Sequence, residues 1–274
     1  MKYGIAIRNM GPQSSRTTIR ACAEAAESLG YDALFVSDHL CIPPDQTEGS
    51  GGRYLDVLAT LAYLAGATNR IRLGISVLVV PYRPAVLTAK QVATIQELSG
   101  ERMVLGVGVG WMKPEFDALG VDKRQRGRIT DETLHVIRHL FAHEAEAYQG
   151  SLISFPAFVF SPRPARPVIW IGGNSKKAIE RVVEYGDGWH PMMPAEKLKP
   201  AVRELKQKVA NKKESAIEIV VRRGIRFDDL GAAKAQLEAE RDAGATYFIL
   251  DLGRYPSEKE FAAQAETFIE KVAS

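Results

Sequence analysis

The sequence is poor in cysteine, in excess charge and in long apolar runs. Its 274 residues include only two cysteines, Cys22 and Cys41, without a C-x-x-C pair. Disulfides are therefore not expected, and a reducing cytoplasm is the predicted location. The formal net charge is only +3, and its spread along the chain argues against nucleic acid as a partner. No apolar run approaches a membrane helix in length, and the start, MKYGIAIRNMG, lacks a secretory apolar segment, so no membrane association is expected.

The sequence does contain a regular alternation of short apolar runs and longer amphipathic runs. The apolar runs are almost continuous, which is typical of parallel strands covered on both faces. The predicted strands cover residues 3–8, 33–38, 71–80, 103–110, 168–173, 187–192, 217–224 and 247–253. The predicted helices cover residues 15–29, 54–68, 84–100, 127–142, 175–185, 196–212, 231–243 and 257–272.

Eight strand–helix units in a chain of this length predict an α/β fold of the TIM (β/α)8 barrel type. We expect a single domain over residues 1–274, with an irregular insertion (144–166) between the fourth strand's helix and the fifth strand. A doubly wound open sheet is the alternative. Glycines that end helices are predicted to cap them in the left-handed conformation; they are Gly30, Gly100, Gly186 and Gly244.

The fourth strand, MVLGVGVG (103–110), carries glycines at alternate positions. The spacing is G-x-G-x-G, whereas a dinucleotide-binding turn has G-x-G-x-x-G and opens a helix directly. Pro114 is expected to interrupt a helix that begins straight after the third glycine. Gly108 and Gly110 fall near the carboxyl end of the strand, where barrel active sites lie. Either a flat ligand approaches this bare backbone, or small residues simply fit a crowded interior.

Polar and aromatic candidates follow several strands at this same end. Asp38 and His39 end the second strand, and a histidine there suits proton transfer near neutral pH, although a surface histidine opening a loop is the alternative. Glu115 lies just beyond the fourth strand. Trp111 could wall a planar ring or pack a loop, and the same choice holds for Trp189.

A glycine-rich turn follows the fifth strand and leads into a helix. Backbone N–H groups over Gly172, Gly173, Asn174, Ser175 and Lys176 could hold a phosphate at the helix N-terminus. Asn174 or Ser175 could instead serve only as the N-cap, and Lys176 could add positive charge or be solvated.

Three histidines on the predicted fourth helix, His135, His139 and His143, repeat at the i, i+4 spacing of metal ligands. No third ligand type accompanies them, so no metal is expected.

Four ordered stretches make the chain resemble the bacterial luciferase-like flavin and deazaflavin oxidoreductases. They are SDH (37–39), RLGISVLVVPYRPAVLTAKQVATIQELSGER (72–102), LGVGVGW (105–111) and IGGNSKKAIERVVEYGDGW (171–189). The third and fourth, in this order and separation, are the specific ones. The resemblance covers nearly the whole chain and implies a TIM barrel with an insertion.

The resemblance also implies a cofactor and a site. The cofactor is coenzyme F420, or alternatively FMN, bound at the carboxyl end of the barrel. A non-prolyl cis peptide is implied at Ser76–Val77, behind the cofactor ring. His39 and Asp38 are implied near the reactive face of the ring, the Gly-Gly-Asn-Ser turn at the cofactor phosphate, and Glu115 as an acid after the fourth strand.

The function predicted from this resemblance is F420-dependent hydride transfer to or from a small organic substrate. His39 is predicted to give or take the proton, with Asp38 orienting it or contacting the ring. An FMN-dependent monooxygenase using oxygen is the first alternative, and a non-catalytic flavin-binding barrel is the second. The family also implies a homodimer. Loops 41–53, 111–123 and 144–166 are expected to shape the substrate pocket.

Overall fold

Eight parallel strands close into a barrel in the computed structural model, which describes residues 1–47, 49–210 and 216–274. The barrel strands are β1 (Lys2–Ala6), β2 (Ala33–Val36), β3 (Arg72–Ile75) continued by a short β4 (Leu78–Val79), β5 (Met103–Gly108), β8 (Val168–Gly172), β9 (Gly188–His190), β10 (Glu218–Arg223) and β11 (Tyr247–Leu250). Strands β6 (Tyr148–Gln149) and β7 (Ser154–Phe155) form a separate hairpin. Strand β1 pairs with both β2 and β11, and β3 pairs with β5, so the sheet has no open edge at either place. The predicted TIM barrel is confirmed, and the open sheet is excluded.

Helices surround this barrel. They are α1 (Arg16–Ser28), α2 (Val57–Ala67), α3 (Ala85–Leu98), α4 (Lys113–Ala118), α5 (Arg126–Ala142), α6 (Lys176–Tyr185), α7 (Ala195–Val209), α8 (Leu230–Asp242) and α9 (Glu258–Lys271). Five of them begin at a side-chain N-cap: Ser15, Asp56, Ser175, Asp229 and Ser257. A helix was predicted over residues 196–212, and its last two residues, 211–212, lie outside the described residues. In the part of the chain that is described, none of the helices has the length and apolar character needed to cross a bilayer.

Two local predictions were wrong. No helix begins straight after Gly110, as expected, but the loop predicted over residues 111–123 contains α4, which begins at Lys113 and places Pro114 in its first turn, where a backbone N–H is not needed. Gly30, Gly100 and Gly244 have the expected positive φ, but Gly186 has φ −86°. Its N–H instead donates to the carbonyls of the preceding helical turn, so that helix ends without a left-handed residue.

The third predicted strand is interrupted. Regular pairing stops at Ile75, the peptide bond between Ser76 and Val77 is cis, and pairing with β5 resumes at Leu78. The predicted cis bond is therefore confirmed. The insertion contains the β6–β7 hairpin that the sequence pattern did not show. Glu132 of α5 anchors that hairpin by accepting hydrogen bonds from Ser151 Oγ and from the amides that follow it.

Large aromatic side chains fill the amino-terminal half of the barrel interior. Phe35, Trp170 and Tyr247 are fully buried, with ring centroids 4.8 to 6.0 Å apart. Glycines make room for them, because a Cβ on Gly4 or Gly74 would lie 2.6 or 2.2 Å from the Phe35 ring. The Trp170 N–H donates to Glu218 and the Tyr247 hydroxyl to Asp32. We call Phe35, Trp170 and Tyr247 the aromatic floor.

Candidate active site

The carboxyl ends of the strands bring the predicted site residues to one end of the barrel. Arg222, at the end of β10, joins two of them, because its Nη1 donates to Ser37 Oγ (3.0 Å) and to the Ser76 carbonyl oxygen (3.2 Å). Gly172 of β8 is so close to Val77 that a Cβ on it would lie 3.2 Å from Val77 Cγ1. The region after β2, the cis peptide and the end of β8 therefore adjoin.

His39 is held by a buried carboxylate. Its Nδ1 lies 2.9 Å from Oε2 of Glu115, which is fully buried. The amides of Leu40 (2.6 Å) and Cys41 (3.2 Å) donate to Oε1, and the Tyr82 hydroxyl donates to Oε2 at 2.8 Å. The structure thus joins two residues that the sequence had suggested separately.

This hydrogen-bond set keeps Glu115 ionised. Burial alone would raise its pKa, but the hydrogen bonds from His39, Leu40 and Tyr82 outweigh burial and lower the pKa below the ordinary value for a glutamate. A carboxylate can only accept, so Nδ1 of His39 must carry the hydrogen. The other ring nitrogen, Nε2, is then left to exchange a proton with a ligand.

The surroundings of His39 are aromatic and open. The side chain of His39 is 19% exposed, and the rings of Tyr54 and Trp111 approach it at 5.0 and 6.2 Å between centroids. Trp111 is 61% exposed, so its faces are accessible to a ligand, whereas Trp189 is buried and donates to the Gly173 carbonyl. Of the two tryptophans, only Trp111 is placed to wall a ring.

Asp38 has different partners from those we expected. Its buried carboxylate accepts from both terminal nitrogens of Arg83 (2.7 and 2.9 Å) and from the Val79 amide (2.9 Å). Arg83 also donates to Asp56 at 2.9 Å. Because the guanidinium fork matches both carboxylate oxygens, Asp38 fixes the end of β2 to the segment after β3. Glu115 orients His39, which was one of the two roles predicted for Asp38.

The cis peptide rests on a buried, neutral histidine. Ser76 Oγ lies 2.8 Å from Nε2 of His190, whose Nδ1 lies 3.1 Å from the Val220 carbonyl oxygen. Since a carbonyl only accepts, Nδ1 carries the hydrogen and Nε2 accepts from Ser76. Burial, together with the charge of Arg222, lowers the pKa of His190 to about 4. His190 thus has a structural role.

The alternating glycines of β5 make room for the interrupted third strand. A Cβ on Gly106 would lie 2.0 Å from the Ile75 carbonyl oxygen, and one on Gly108 would lie 2.7 Å from Val77 Cγ2. Gly110 has φ +75°, and its Cβ would lie 2.5 Å from Val79 Cγ1. The crowded-interior interpretation therefore explains these glycines, and the half-buried Val77 lies over them.

The turn after β8 offers anion donors, although not all those predicted. Ser175 is the N-cap of α6, and Asn174 instead pairs its side-chain amide with the backbone of Met192. The Gly173 N–H donates to the His190 carbonyl (3.2 Å), so its expected role as a free donor was wrong. The first N–H groups of a helix have no intrahelical acceptor, which leaves those of Lys176 and Lys177 at an exposed N-terminus.

Sequence reasoning missed Tyr82 and Arg83 as members of the site, and it placed Arg222 and Asp251 at the ends of the seventh and eighth strands without giving them a role. Arg222 is paired with Asp251 at 2.9 Å, and the two lie at neighbouring strand ends. A signal was present, because PYRP follows the third predicted strand and Arg222 ends the seventh. In a barrel the first residues after each strand face the site.

Comparisons with known proteins concern the family and the fold of the chain. The profile of the luciferase-like monooxygenase family matches residues 1–271. A 5,10-methylenetetrahydromethanopterin reductase of Methanolobus tindarius is 30% identical over 188 residues, which cover 69% of this chain and 53% of that protein. The chain spans 62% of the length of an uncharacterized mycobacterial relative that is 29% identical.

Two solved structures share the fold over nearly the whole chain. The monooxygenase RslO1 from Streptomyces bottropensis superposes with a TM-score of 0.85 at 17% identity, covering 100% of this chain and 99% of that one. An F420-dependent secondary alcohol dehydrogenase, solved with an F420-acetone adduct, superposes with a TM-score of 0.81 at 16% identity, covering 99% and 98%. At these identities the likeness concerns the fold.

Proposed function

The chain belongs to the luciferase-like monooxygenase family, and on that basis we propose that it is an F420-dependent oxidoreductase. The proposed reaction transfers a hydride between the deazaflavin and a small organic substrate. The observation that carries the proposal is the His39–Glu115 pair, in which a buried carboxylate fixes the ring through Nδ1 at 2.9 Å. The similarity to a tetrahydromethanopterin-linked reductase and to the fold of an F420-dependent dehydrogenase supports it.

The residues at this end of the barrel fit a planar cofactor that carries a phosphate. Half-buried Val77 lies over the glycines of β5, Ser76 is half-buried beside it, and Trp111 is exposed. We assign the backing of the ring to Ser76 and Val77, with Gly108 and Gly110 behind them as the residues that leave room for Val77 and Val79, and one wall to Trp111. We assign the phosphate to the end of the turn Gly172–Lys176, where the amides of Lys176 and Lys177 open a helix whose N-terminus favours an anion by hydrogen bonds and dipole. When bound, F420 supplies a carbon centre that gives or accepts hydride.

The protein's own contribution is a positioned proton and a fixed geometry. Glu115 holds His39 with its hydrogen on Nδ1, so Nε2 accepts a proton from a substrate hydroxyl or, in the reverse direction, returns it. The negative charge of Glu115 stabilises the imidazolium formed during this exchange. Asp38 acts on the same site indirectly, because its pair with Arg83 fixes the backbone that precedes His39.

The choice of cofactor is tested by titrating the purified apoprotein separately with F420 and with FMN and following fluorescence. We expect tight binding of F420 and weak binding of FMN. Tight binding of FMN without F420 binding contradicts the proposal and favours a flavin monooxygenase. Tight F420 binding with no hydride transfer to any of a panel of alcohols, ketones and imines favours a barrel that only binds the cofactor.

The role of His39 is tested by His39→Ala. Removing a positioned acid or base should lower turnover by roughly 10²–10⁴-fold, while F420 affinity changes little because the turn after β8 and the Val77 surface remain. Turnover per folded molecule and cofactor affinity are measured together. His135→Ala, on the outer wall, is the matched control and should retain normal turnover. Normal turnover in His39→Ala contradicts its assignment.

We further infer that residues 1–274 act as one domain, in the cytoplasm and as a homodimer. Both cysteines are free, which suits a reducing compartment. Leu87 and Leu98 of α3 are 51% and 67% exposed, and such apolar side chains suit an interface between two copies. Sedimentation equilibrium tests the dimer, and a Leu98→Glu variant should shift it toward monomer.

A further inference from the structure

Three metal-binding side chains meet on the outer wall, away from the candidate active site. His139 and His143 lie one turn apart at the end of α5, and Glu146 lies in the first residues of the insertion. One ligand atom from each lies within 4.8 Å of the others. Nδ1 of His143 is 3.1 Å from Glu146 Oε2, and the two imidazole centroids are 4.8 Å apart.

We propose that His139, His143 and Glu146 bind a Zn²⁺ ion. Two imidazoles and one carboxylate are a ligand set that zinc takes, with water in the fourth position. The sequence pattern had suggested no third ligand type, but Glu146 follows His143 by three residues and the chain folds it back onto the helix. Zinc–ligand bonds of about 2.0–2.1 Å in a tetrahedron put ligand atoms about 3.3 Å apart. The His143–Glu146 pair already meets this spacing.

The remaining adjustment is small and falls on side chains at the protein surface. His139 must come closer by roughly 1.5 Å to reach the tetrahedral spacing, and His139, His143 and Glu146 are all partly or fully exposed. Neighbouring rings already restrict His139, because Tyr148 and Phe155 lie 5.3 and 6.1 Å from it between centroids. A preset ligand loses less side-chain freedom on binding.

The arrangement separates these three residues from the other histidine of the helix. The His135 ring packs edge-on against Tyr185 at 5.1 Å and does not belong to the ligand group. His139 Nε2 lies 3.5 Å from the Glu146 carbonyl oxygen, so helix and insertion already meet there. Bound zinc would join the end of α5 to the segment that leads into the β6–β7 hairpin. Glu132, which precedes His139 in α5, already anchors that hairpin.

The test is calorimetric titration of Zn²⁺ into the full-length protein, purified without a histidine tag. We expect one equivalent to bind. Losing an outer-shell partner of a metal ligand costs about 10–100-fold in affinity, so loss of a ligand should cost at least tenfold in His139→Ala, His143→Ala and Glu146→Gln. His135→Ala, on the same helix, should bind as the wild type does. Cys41→Ser is included because an exposed thiol also binds zinc.

A second measurement keeps the proposal testable if a variant is unstable. Zinc that binds only the folded state raises the thermal midpoint, and at the same zinc concentration the rise should be equal in the wild type and in His135→Ala but clearly smaller in Glu146→Gln, which keeps both histidines. Equal zinc affinity in wild type and all three ligand variants overturns the proposal. So does loss of binding in Cys41→Ser alone, or the absence of binding by the wild type.

Discussion

Two buried carboxylates organise the site at the scale of single residues, and their partners differ in kind. Asp38 faces Arg83, whose charge is permanent, whereas Glu115 faces His39, whose imidazole can take up and release a proton. The first pair therefore fixes backbone geometry under all ordinary conditions. The second lets a proton arrive at and leave the far side of the imidazole.

Asp38→Asn should destabilise the fold strongly. The amide cannot accept both hydrogen bonds from Arg83, and a charge that loses its partner in a buried setting costs about 3–5 kcal/mol, reduced here because Asp56 also pairs with Arg83. Urea denaturation gives the change in free energy of unfolding. Asp117→Asn is the matched control, since its pair with Lys113 is exposed and worth at most about 1 kcal/mol. Equal losses in the two variants would contradict the structural role of Asp38.

Glu115→Gln should change the pH dependence of stability. The pKa of Glu115 is lowered in the folded protein, so its contribution is fully present above the unfolded value of about 4.3 and is lost as pH falls through the lower folded value. The difference in unfolding free energy between wild type and variant should therefore be largest near neutral pH. It should shrink below about pH 4.3 in urea titrations. A pH-independent difference would argue against ionised Glu115.

The sequence identified the members of this pair but not the pair itself. His39 and Glu115 could be proposed from their places after strands two and four. Their contact joins residues 76 positions apart and depends on how two loops fold over the rim. Tyr82 and Arg83 were missed for the same reason. The fold of the loop after the third strand brings their side chains to Glu115 and Asp38, and no residue pattern specifies that fold.

At the scale of elements, the N-terminus of α6 combines a satisfied cap with free donors. Ser175 Oγ accepts from the Ala178 amide at 3.1 Å, which leaves the amides of Lys176 and Lys177 without intrahelical acceptors. This end of the helix lies at the carboxyl face of the barrel, beside Gly172. The position suits a phosphate group better than a neutral one because of the helix dipole.

Lys176→Pro removes one of these donors without disturbing the helix. Proline is well accepted at the first helical position, and Ser175 before it already has φ −78° and ψ 159°, which a following proline favours. We expect F420 affinity to fall by about tenfold or more, the value of a hydrogen bond to a charged group. Lys176→Ala keeps the N–H and should lose less. Equal affinities of the two variants in fluorescence titrations would move the phosphate elsewhere.

Elements were predictable where local chemistry sets them and unpredictable where pairing does. The predicted starts of the first and last helices, at Ser15 and Ser257, are within one residue of the observed starts, and both serines are N-caps. The break in the third strand was invisible to hydrophobic periodicity, because residues 77–80 are as apolar as 71–75. Only the resemblance located the cis bond. The helix α4 was missed because Pro114 was taken as a break rather than as a first-turn residue.

At the scale of the whole molecule, the count of eight strand–helix units predicted the barrel. The count could not predict where neighbouring strands come into close contact. The backbone of Ile75, at the end of β3, lies close against β5 at Gly106, because a Cβ there would be 2.0 Å from the Ile75 carbonyl oxygen. Barrel closure therefore depends on a residue that periodicity treats as ordinary.

Gly106→Ala should open or unfold the barrel. A Cβ 2.0 Å from a backbone oxygen can be accommodated only by moving a strand, and such overpacking costs about 1–3 kcal/mol or more. Differential scanning calorimetry should show a lowered melting temperature. Gly66→Ala, on exposed α2 with nothing within 4 Å of its Cβ, should instead stabilise by about 0.5–1 kcal/mol. A Gly106→Ala protein as stable as the wild type would contradict the close approach.

The aromatic floor has a consequence for the order of events in catalysis. Phe35, Trp170 and Tyr247 fill the amino-terminal half of the barrel interior. Cofactor and substrate must therefore both enter from the carboxyl end of the strands. When two molecules enter through the same opening, the one that binds deeper must bind first. If the ring rests on Val77, the substrate comes second and its product leaves first, so steady-state kinetics should show a compulsory sequence with the cofactor leading.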